Sequence, residues 1–517
     1  MPDNDSYNLH NLDQRLKQSK AMGGEKRIAR QHAKGLLTAR ERIDALLDTN
    51  SFDELGQLNH SDIADVADKT PADGKICGYG EIDQRTVYVS ADDATVMAGA
   101  GGRVGVGKQF QGAQYALEKG YPIIHLGDGG GARIPDIMGA VGMMSMIYPI
   151  KGKSRNRYVP QITTIMGMCY GGPSWTAAVS DVIIQVKGSV MAVAGPSILE
   201  IATGEEATPD ELGGWKLHAE VTGQVDLFAE DNADCLRLVR DVLSYLPSNA
   251  DMLPPKHTAS EAYPKPTPAM QIVPEDPKTA YDMHHLLTTI FDNNSLLEFK
   301  PHYDGSLITS LARLDGHVVG VLANNPLVNV GAMGYGACEK ATSFIIFCDS
   351  FHIPLIFLHD TPGFFVGKVA EEHKMPLKIM TYIQALQQST VPKISLIIRK
   401  SYGMAHCNMM GGNMGADSLL AWSIAEVSFM DPRVAVNVMY GRKLQEMDNA
   451  EAIREQYIQQ MRQSNAIWEA AGLNLVDKVI KPDDTRNELI KALRRSLGAN
   501  GEQQRSERKL ANWARGT

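Results

Sequence analysis

The chain contains two copies of one turn motif, Tyr170-Gly171-Gly172-Pro173 and Tyr402-Gly403-Met404-Ala405. Each copy follows an apolar, strand-like run, Ile162–Met168 in the first and Ile394–Ile398 in the second. A segment of helical composition comes next, 174–179 and 406–415 respectively. A strand-to-helix turn of small residues leaves backbone N–H groups open at a helix N-terminus, where they stabilise a negatively charged oxygen. We therefore predict two oxyanion holes in one enzyme, one in each half of the chain.

Both turns lie in a long internal repeat. We call the distance along the chain from Tyr170 to Tyr402 the repeat distance, and a shift by this distance aligns the two halves without a gap. The aligned pairs are Val87 with Val319, Gly99 with Gly331, Lys108 with Lys340, Pro122 with Pro354, and Asp128 with Asp360. A four-residue insertion in the second half then pairs Asp181 with Asp417. Because strands alternate with helices in both copies, the repeat predicts a duplicated α/β domain with parallel strands.

The length and the proline distribution predict two large domains. A chain of 517 residues can bury two cores, and eight prolines between Pro247 and Pro277 are typical of an extended linker. The predicted parts are a helical segment at 1–50, a first α/β domain at 51–250, a proline-rich linker at 251–278, a second α/β domain at 279–500 and a polar tail at 501–517. The helical segment contains Thr38-Ala39-Arg40-Glu41, the pattern of a capping box. Among later elements we predict a helix at 108–119.

Composition excludes several classes of protein. The net charge of −9 argues against general nucleic-acid binding. The six cysteines are scattered without a C-x-x-C pair, which favours a reducing compartment, the cytoplasm, and argues against a zinc site. We find neither an apolar stretch of membrane-span length nor the pattern of a signal peptide at the first residues.

A glycine-rich stretch, Gly102–Lys108, matches the G-x4-G-K spacing of a phosphate-binding loop. Gln109 stands where a magnesium-binding Ser or Thr is expected, and no acidic strand completes such a site. We therefore interpret these glycines as positions where the backbone closely approaches another segment or a ligand.

Two aspartates each end a buried strand, in Asp128-Gly129-Gly130-Gly131 and Asp360-Thr361-Pro362-Gly363. Ligands of open α/β folds bind at the carboxyl ends of strands, so both loops are candidate site loops. The alternative is a tight turn capped by the aspartate. A Ser-His-Asp triad is not indicated, because no G-x-S-x-G is present. We interpret His406 as a structural or substrate-contacting residue, and Cys407 as a pocket wall.

Further motifs then identify a family. They are Gln31-His32-Ala33-Lys34-Gly35, Thr38-Ala39-Arg40-Glu41-Arg42, Gly78-Tyr79-Gly80, Gly130-Gly131-Ala132-Arg133-Ile134, Thr203-Gly204-Glu205, Glu211-Leu212-Gly213-Gly214, Ala323-Asn324-Asn325-Pro326, Pro362-Gly363-Phe364 and Val391-Pro392-Lys393. In this order they resemble the carboxyltransferase β subunits of biotin-dependent acyl-CoA carboxylases, of the propionyl-CoA and acetyl-CoA type, and the related acyl-CoA decarboxylase subunits. The resemblance spans 31–486. It implies two tandem crotonase-like (ClpP/crotonase) domains, the first on the acyl-CoA side and the second on the biotin side, in a hexamer.

The resemblance also implies a reaction and its residues. A carboxyl group would move from carboxybiotin to the α-carbon of a short-chain acyl-CoA, with charge developing on the thioester oxygen and on the ureido oxygen. The implied catalytic residues are Gly171 and Gly172, assigned to the biotin oxygen, and Met404 and Ala405, assigned to the thioester. The implied substrate-binding residues are Gly130, Gly131, Ala132, Arg133, Tyr170, Tyr402, Gly403, His406 and Cys407. Biotin contacts are implied for Pro362, Gly363 and Phe364, and no metal is implied.

Two departures from the family pattern concern substrate choice. Met404 replaces a glycine of many relatives, and Cys407 replaces an aspartate of propionyl-type relatives. The chain carries no biotinylation segment and no ATP-binding domain. Biotin would therefore arrive on a partner, either a biotin carboxylase with a biotin carboxyl carrier subunit or a fused α subunit. Three alternatives remain open, namely a decarboxylase or transcarboxylase subunit running the reverse transfer, a crotonase-type hydratase or isomerase, and a catalytically inactive partner subunit.

Overall fold

The computed structural model of the chain describes residues 9–145, 156–257, 267–412, 414–499 and 502–515. Parts of the predicted helical segment (1–8), linker (258–266) and polar tail (501 and 516–517) lie outside the described residues. The chain divides between Met252 and Leu253 into two compact units, which we call the first unit and the second unit.

The first unit alternates helices and strands over most of its length. Its helices are α1 (Leu9–Lys20), α2 (Glu25–His32), α3 (Ala39–Leu46), α4 (Ala64–Ala67), α5 (Arg103–Lys119), α6 (Ile134–Ile137), α7 (Gly139–Met144), α8 (Gly172–Val179), α9 (Pro196–Thr203), α10 (Pro209–Gly213) and α11 (Asn232–Tyr245). Its strands are β1 (Asp53–Leu55), β2 (Lys75–Ile82), β3 (Arg85–Asp92), β4 (Ile123–Gly127), β5 (Gln161–Ile165), β6 (Met168–Tyr170), β7 (Val182–Val186), β8 (Val190–Ala192) and β9 (Leu227–Ala229).

The second unit follows the same alternation. Its helices are α12 (Ala269–Ile272), α13 (Met283–Ile290), α14 (Tyr335–Ser350), α15 (Lys368–Glu372), α16 (Met375–Gln388), α17 (Gly403–Asn408), α18 (Pro432–Gln445), α19 (Ala450–Asn465), α20 (Ile467–Gly472) and α21 (Thr485–Ser496). Its strands are β10 (Leu297–Phe299), β11 (Leu307–Leu314), β12 (His317–Asn324), β13 (Leu355–Thr361), β14 (Lys393–Tyr402), β15 (Ser418–Trp422), β16 (Glu426–Ser428) and β17 (Lys478–Ile480).

The two units have sheets of the same strand order. The first sheet runs β1-β2-β3-β4-β5-β7-β9 and the second runs β10-β11-β12-β13-β14-β15-β17. In both, the first three strands are antiparallel and the rest are parallel. The register also repeats, because Tyr88 lies opposite Ile123 and the residues one repeat distance further on, Gly320 and Leu355, lie opposite each other. The predicted α/β class is therefore confirmed in each unit.

Helix boundaries correct three predictions. The helix predicted at 108–119 begins earlier, at Arg103. It includes Gly105, where a glycine allows close packing, because a Cβ there would lie 2.5 Å from the Asp73 carbonyl oxygen. The helix after the first turn begins at Gly172, earlier than predicted. The helix after the second turn ends at Asn408, well before 415, and Met410 beyond it has a positive φ of 64°. The capping box at Thr38 is confirmed.

The core of the second unit determines which side of β14 is available to a site. Ile394, Leu396 and Ile398 are fully buried among apolar residues of α13 and α21. Side chains alternate across a strand, so Ser395 and Ser401 lie on the opposite face of the sheet. Polar side chains on a buried strand need polar partners, which here are His359 on the neighbouring strand β13 and His406 on α17.

Candidate active site

The first turn is shaped by Gly171, which precedes α8. Its φ of 62° and ψ of −114° lie in a region that L side chains rarely adopt, so glycine is required for the chain to pass from β6 into the helix. Gly172 begins the helix, and open space surrounds the position that a Cβ would occupy. The turn therefore presents bare backbone, as the sequence predicted.

The donors of the first turn differ from the predicted pair. The N–H of Gly171 donates to the Ala192 carbonyl at 3.0 Å, so it is occupied, and Pro173 has no N–H. As an amide of the first helical turn, Gly172 N–H has no acceptor within the helix. Of the predicted pair, Gly172 is thus the residue whose N–H remains available, and Gly171 fixes the geometry.

The second turn offers two donors. Gly403 has a φ of 61°, matching Gly171, and is the first residue of α17, so the amides of Met404 and Ala405 belong to the first turn of this helix and have no acceptor within it. Ala405 is fully buried, whereas 45% of Met404 is exposed. Ala405 occupies the position that Pro173 occupies in the first unit, so the second turn has an N–H group at this position and the first turn does not.

Each turn lies beside the candidate site loop of its own unit. In the first unit Gly101 N–H donates to the Gly131 carbonyl and Arg133 N–H donates to the Gly101 carbonyl, both at 2.8 Å. A Cβ on Gly131 would lie 3.2 Å from the Tyr170 carbonyl oxygen. Gly130 and Ala132 in this loop are exposed. The structure therefore brings the predicted residues 130–133 to the first turn.

The second unit repeats this arrangement. Met333 N–H donates to the Gly363 carbonyl at 3.1 Å, and Phe365 N–H donates to the Met333 carbonyl at 2.9 Å. A Cβ on Gly363 would lie 3.8 Å from the Tyr402 carbonyl oxygen. Pro362, Gly363 and Phe364 are half-buried. Each unit thus builds its own candidate site from one turn and one neighbouring loop.

Buried ion pairs hold the bases of both loops. Asp128 Oδ2 accepts from Gln31 Nε2 at 3.0 Å and lies 2.9 Å from Arg42 Nη2, with Arg42 only 1% exposed. Asp360 Oδ2 accepts from Arg399 Nε and from the Tyr281 hydroxyl, both at 3.0 Å. Burial together with the neighbouring Asp360 carboxylate raises the pKa of Tyr281 well above its ordinary value, so its hydroxyl stays a donor. Both aspartates are therefore anchors of the loops.

Two predicted substrate contacts are occupied by the protein itself. Arg133 is 2% exposed and pairs with Asp73 and Asp136, so its charge is balanced within the fold. The Tyr402 hydroxyl donates to Glu426 Oε2 at 2.8 Å, and the ring is 2% exposed. Tyr170, in contrast, is half-buried. We assign Arg133 and Tyr402 to shaping the loop and the turn.

His406 and Cys407 lie on α17 immediately after the donor pair, and both are half-buried. Burial raises the pKa of the Cys407 thiol, which makes it a poor nucleophile and supports the pocket-wall interpretation. His406 Nδ1 lies 2.8 Å from the Ser401 hydroxyl. Sequence reasoning missed Ser401 and its second partner His359, although polar residues such as Ser395 and Ser401 in a largely apolar strand are a visible signal.

The lysine of the phosphate-loop-like stretch has a structural role. Lys108 Nζ donates to the carbonyls of Gly56, Ala72 and Lys75 at 2.7 to 3.1 Å. A Cβ on Gly99 would lie 2.3 Å from the Asp128 carbonyl oxygen. Within the stretch, Gly105 is such a point of close backbone approach, since a Cβ there would lie 2.5 Å from the Asp73 carbonyl oxygen, whereas Gly107 has nothing within 4 Å.

Neither a metal site nor a membrane span is found in the part of the chain that the structure describes. No cluster of three His, Cys, Asp or Glu side chains within it could hold a metal ion. Among the described helices, none has the length and apolar character needed to cross a membrane.

Comparisons with known proteins place these sites in a family. The carboxyl transferase domain model matches residues 30–510. The chain is 38% identical to the propionyl-CoA carboxylase carboxyltransferase subunit of Haloferax mediterranei, over 91% of this chain and 92% of the relative. It is 35% identical to the methylmalonyl-CoA decarboxylase subunit alpha of Veillonella parvula, over 97% of each.

A solved structure agrees with the sequence comparisons. The crystal structure of the transcarboxylase 12S hexamer, with methylmalonyl-coenzyme A bound, matches with a TM-score of 0.86 and 35% identity over 94% of each chain. With a matching family model over most of the chain and relatives above 30% identity over nearly all of it, the chain belongs to the carboxyl transferase family of enzymes.

Proposed function

We propose that this chain is the carboxyltransferase subunit of a biotin-dependent acyl-CoA carboxylase. It would move a carboxyl group from carboxybiotin, held on a separate carrier protein, to the α-carbon of a short-chain acyl-CoA of the propionyl or acetyl type. The observation that supports this most is the pair of glycine-shaped turns, one in each unit, with backbone amides that have no acceptor within their helices. Carboxyl transfer develops charge on two oxygens, and two donor sites match that need.

The roles of the residues follow from the donors that remain available. Met404 and Ala405 N–H stabilise the thioester oxygen as the α-carbon loses its proton and becomes nucleophilic. Gly172 N–H stabilises the ureido oxygen, with Gly171 setting the turn. Bound biotin supplies the carboxyl group and a ureido nitrogen that accepts the α-proton, so no side-chain base is required. The 362–364 loop, which is half-buried and lies beside the second turn, is the proposed biotin contact.

We further propose that the two units are tandem crotonase-like domains that arose by duplication, the first on the acyl-CoA side and the second on the biotin side. The equal strand order and the constant repeat distance support this. For these two domains we propose the limits predicted from the sequence, 51–250 and 279–500. The six cysteines are free thiols, which supports a cytoplasmic location.

The chain is proposed to act as a homohexamer with a biotin carboxylase and a biotinylated carrier as partners. Large apolar side chains are exposed in both units, among them Ile201 (86%) and Val179 (72%) in the first and Phe429 (81%) and Val438 (72%) in the second. Exposed apolar surface of this kind is typical of subunit contacts, and the matching 12S structure is described as a hexamer.

The reverse transfer is the second candidate. The decarboxylase subunit of Veillonella parvula is about as similar to this chain as the propionyl-CoA carboxylase subunit, with 35% against 38% identity. Chemically, the same two donor sites serve both directions, because the same oxygens carry charge in either one. The partner subunits present in the cell would decide the direction.

A reconstitution experiment tests the proposal. The purified chain with ATP, bicarbonate and propionyl-CoA is expected to form no carboxylated product, and adding a biotin carboxylase and a biotinylated carrier is expected to start turnover. A carrier whose biotinylated lysine is replaced by arginine is the matched control. Lack of product across a panel of acyl-CoA thioesters, with the carboxylase step verified, would refute the carboxylase assignment.

A further inference from the structure

A chain of four side chains connects the candidate site to the interior of the second unit. His406 Nδ1 lies 2.8 Å from Ser401 Oγ, which lies 2.8 Å from His359 Nδ1. His359 Nε2 lies 2.7 Å from Ser395 Oγ, and that hydroxyl lies 3.3 Å from the Met409 carbonyl oxygen. We call this series the histidine relay. His359, Ser395 and Ser401 are fully buried.

The Met409 carbonyl determines which group donates and which accepts in each hydrogen bond of the histidine relay. The Met409 carbonyl can only accept, so the Ser395 hydroxyl donates to it and must itself accept from His359 Nε2–H. A neutral imidazole has one N–H, so His359 Nδ1 accepts from the Ser401 hydroxyl. Ser401 in turn accepts from His406 Nδ1–H. This places the lone pair of His406 on Nε2.

The ring of His406 packs closely against Gly411. A Cβ on Gly411 would lie 2.2 Å from His406 Cε1 and 2.4 Å from Nε2, so only glycine leaves room for the imidazole. His406 is half-buried, and its Nε2 has no hydrogen-bond partner among the residues that the structure describes. The hydrogen bond to Ser401, which precedes the turn, places the ring at the same end of α17 as the Met404 and Ala405 amides.

We propose that His406 is a specificity-determining residue, which accepts through Nε2 a hydrogen bond from a neutral O–H or N–H group beside the reacting carbonyl. His359 and Ser401 are positioning residues that hold the required tautomer. This inference rests on the proposed carboxyl transfer. Two groups in that reaction can supply the donor, a hydroxyl on the acyl chain or the ureido N–H of biotin that does not carry the carboxyl group.

Charge considerations favour an acceptor over a general base. Burial lowers the pKa of His406 to about 4, and that of His359 falls well below its ordinary value for the same reason, with the neighbouring His406 adding to it. The imidazole therefore stays neutral above pH 5, where its lone pair accepts a hydrogen bond but holds a proton weakly. A neutral acceptor selects a neutral donor.

The first unit lacks the histidine relay. A shift by the repeat distance places Gly127 opposite His359, Cys169 opposite Ser401 and Ser174 opposite His406. The arrangement is therefore a feature of the second site alone. The first unit does contain a separate buried pair, Ser90 Oγ with His125 Nδ1 at 3.0 Å, which serves as a matched control for removing a hydroxyl from a buried histidine.

Two substrate pairs test the inference, each differing by one donor. The first pair is 3-hydroxypropionyl-CoA and propionyl-CoA, and the second is free biotin and biotin methylated on the nitrogen that is not carboxylated. Carboxyl transfer is measured for each member, and the ratio of kcat/KM within each pair is the readout, since a ratio cancels losses of active protein. We expect the assembled wild-type enzyme to favour the donor-bearing member of one pair by about tenfold.

The variants separate the roles of the residues. His406→Phe is expected to abolish that preference, and Ser401→Ala, which keeps the imidazole, is expected to reduce it severalfold, while Ser90→Ala leaves it unchanged. Ser401→Ala also carries the test if His406→Phe does not fold. Transfer without preference in either pair, or a preference that survives in both variants, would overturn the inference. Absence of all transfer by the wild type would overturn the proposed function, and this inference with it.

Discussion

Replacing Met404 by proline removes one proposed oxyanion donor with little change elsewhere. The Met404 amide is in the first turn of α17, so no helical hydrogen bond is lost, and 45% of its side chain is exposed. Proline fits the first turn of a helix, and the first unit already has Pro173 one position further along in its own turn. The free energy of unfolding should therefore change by no more than about 0.5 kcal/mol.

The effect on catalysis should be far larger. Removing one backbone donor from an oxyanion hole costs roughly 100- to 1,000-fold in kcat, which corresponds to about 2.7–4 kcal/mol of transition-state stabilisation. The assay is the rate of carboxyl transfer in the reconstituted system at saturating acyl-CoA. Met404→Ala, which keeps the amide and removes the side chain, is the matched control and should lose less than tenfold. A Met404→Pro enzyme with the kcat of Met404→Ala would refute the assignment of this amide.

Three further predictions concern stability. Arg399→Met removes the shorter of two buried ion pairs to Asp360 and leaves only Lys400 Nζ at 3.6 Å, so it should lower the free energy of unfolding by about 3–5 kcal/mol in chemical denaturation; a loss below about 1 kcal/mol would contradict the anchoring role. Gly171→Ala should destabilise by about 1–3 kcal/mol because of the positive φ, whereas Gly172→Ala, in open space, should not; equal effects would argue against the turn geometry. Glu298 and Asp282 raise the pKa of His284 to about 9. Protonated His284 therefore stabilises the folded state fully below pH 6.5, and this contribution is lost as the pH rises through 9. His284→Gln should therefore weaken the protein at pH 6 and have no effect at pH 10 in urea titrations, and a loss independent of pH would exclude ionic pairing as the cause.

Much of the fold could be predicted because the repeat preserves residues that determine the backbone conformation, above all glycines in turns. Glycines with positive φ, such as Gly99 with Gly331 and Gly171 with Gly403, recur at one spacing because the same turns recur. Helix limits were harder to predict. By propensity, Gly105 predicts a loop, yet it lies inside α5. A glycine is present there because a neighbouring carbonyl leaves no room for a side chain.

The candidate site was predicted in outline, and its details required the contacts. The sequence identified both turns and both loops, and the structure brings each turn to its loop. The sequence alone does not reveal that the Gly171 amide donates to the Ala192 carbonyl, because that hydrogen bond depends on the pairing of β6 with β8. Likewise, the histidine relay joins residues of β13, β14 and α17 that lie far apart in the chain, from His359 to His406.

The measurement that tests the central claim most directly is carboxyl transfer without ATP. The purified chain is incubated with methylmalonyl-CoA labelled in its free carboxyl group and with a biotinylated carrier domain, and the label on the carrier is counted. We expect label on the carrier, none on the carrier lacking biotin, and a loss of at least about 100-fold in the initial rate with Met404→Pro. Label that reaches no carrier from any carboxylated acyl-CoA, or release of labelled carbon dioxide at the same rate without biotin, would contradict it.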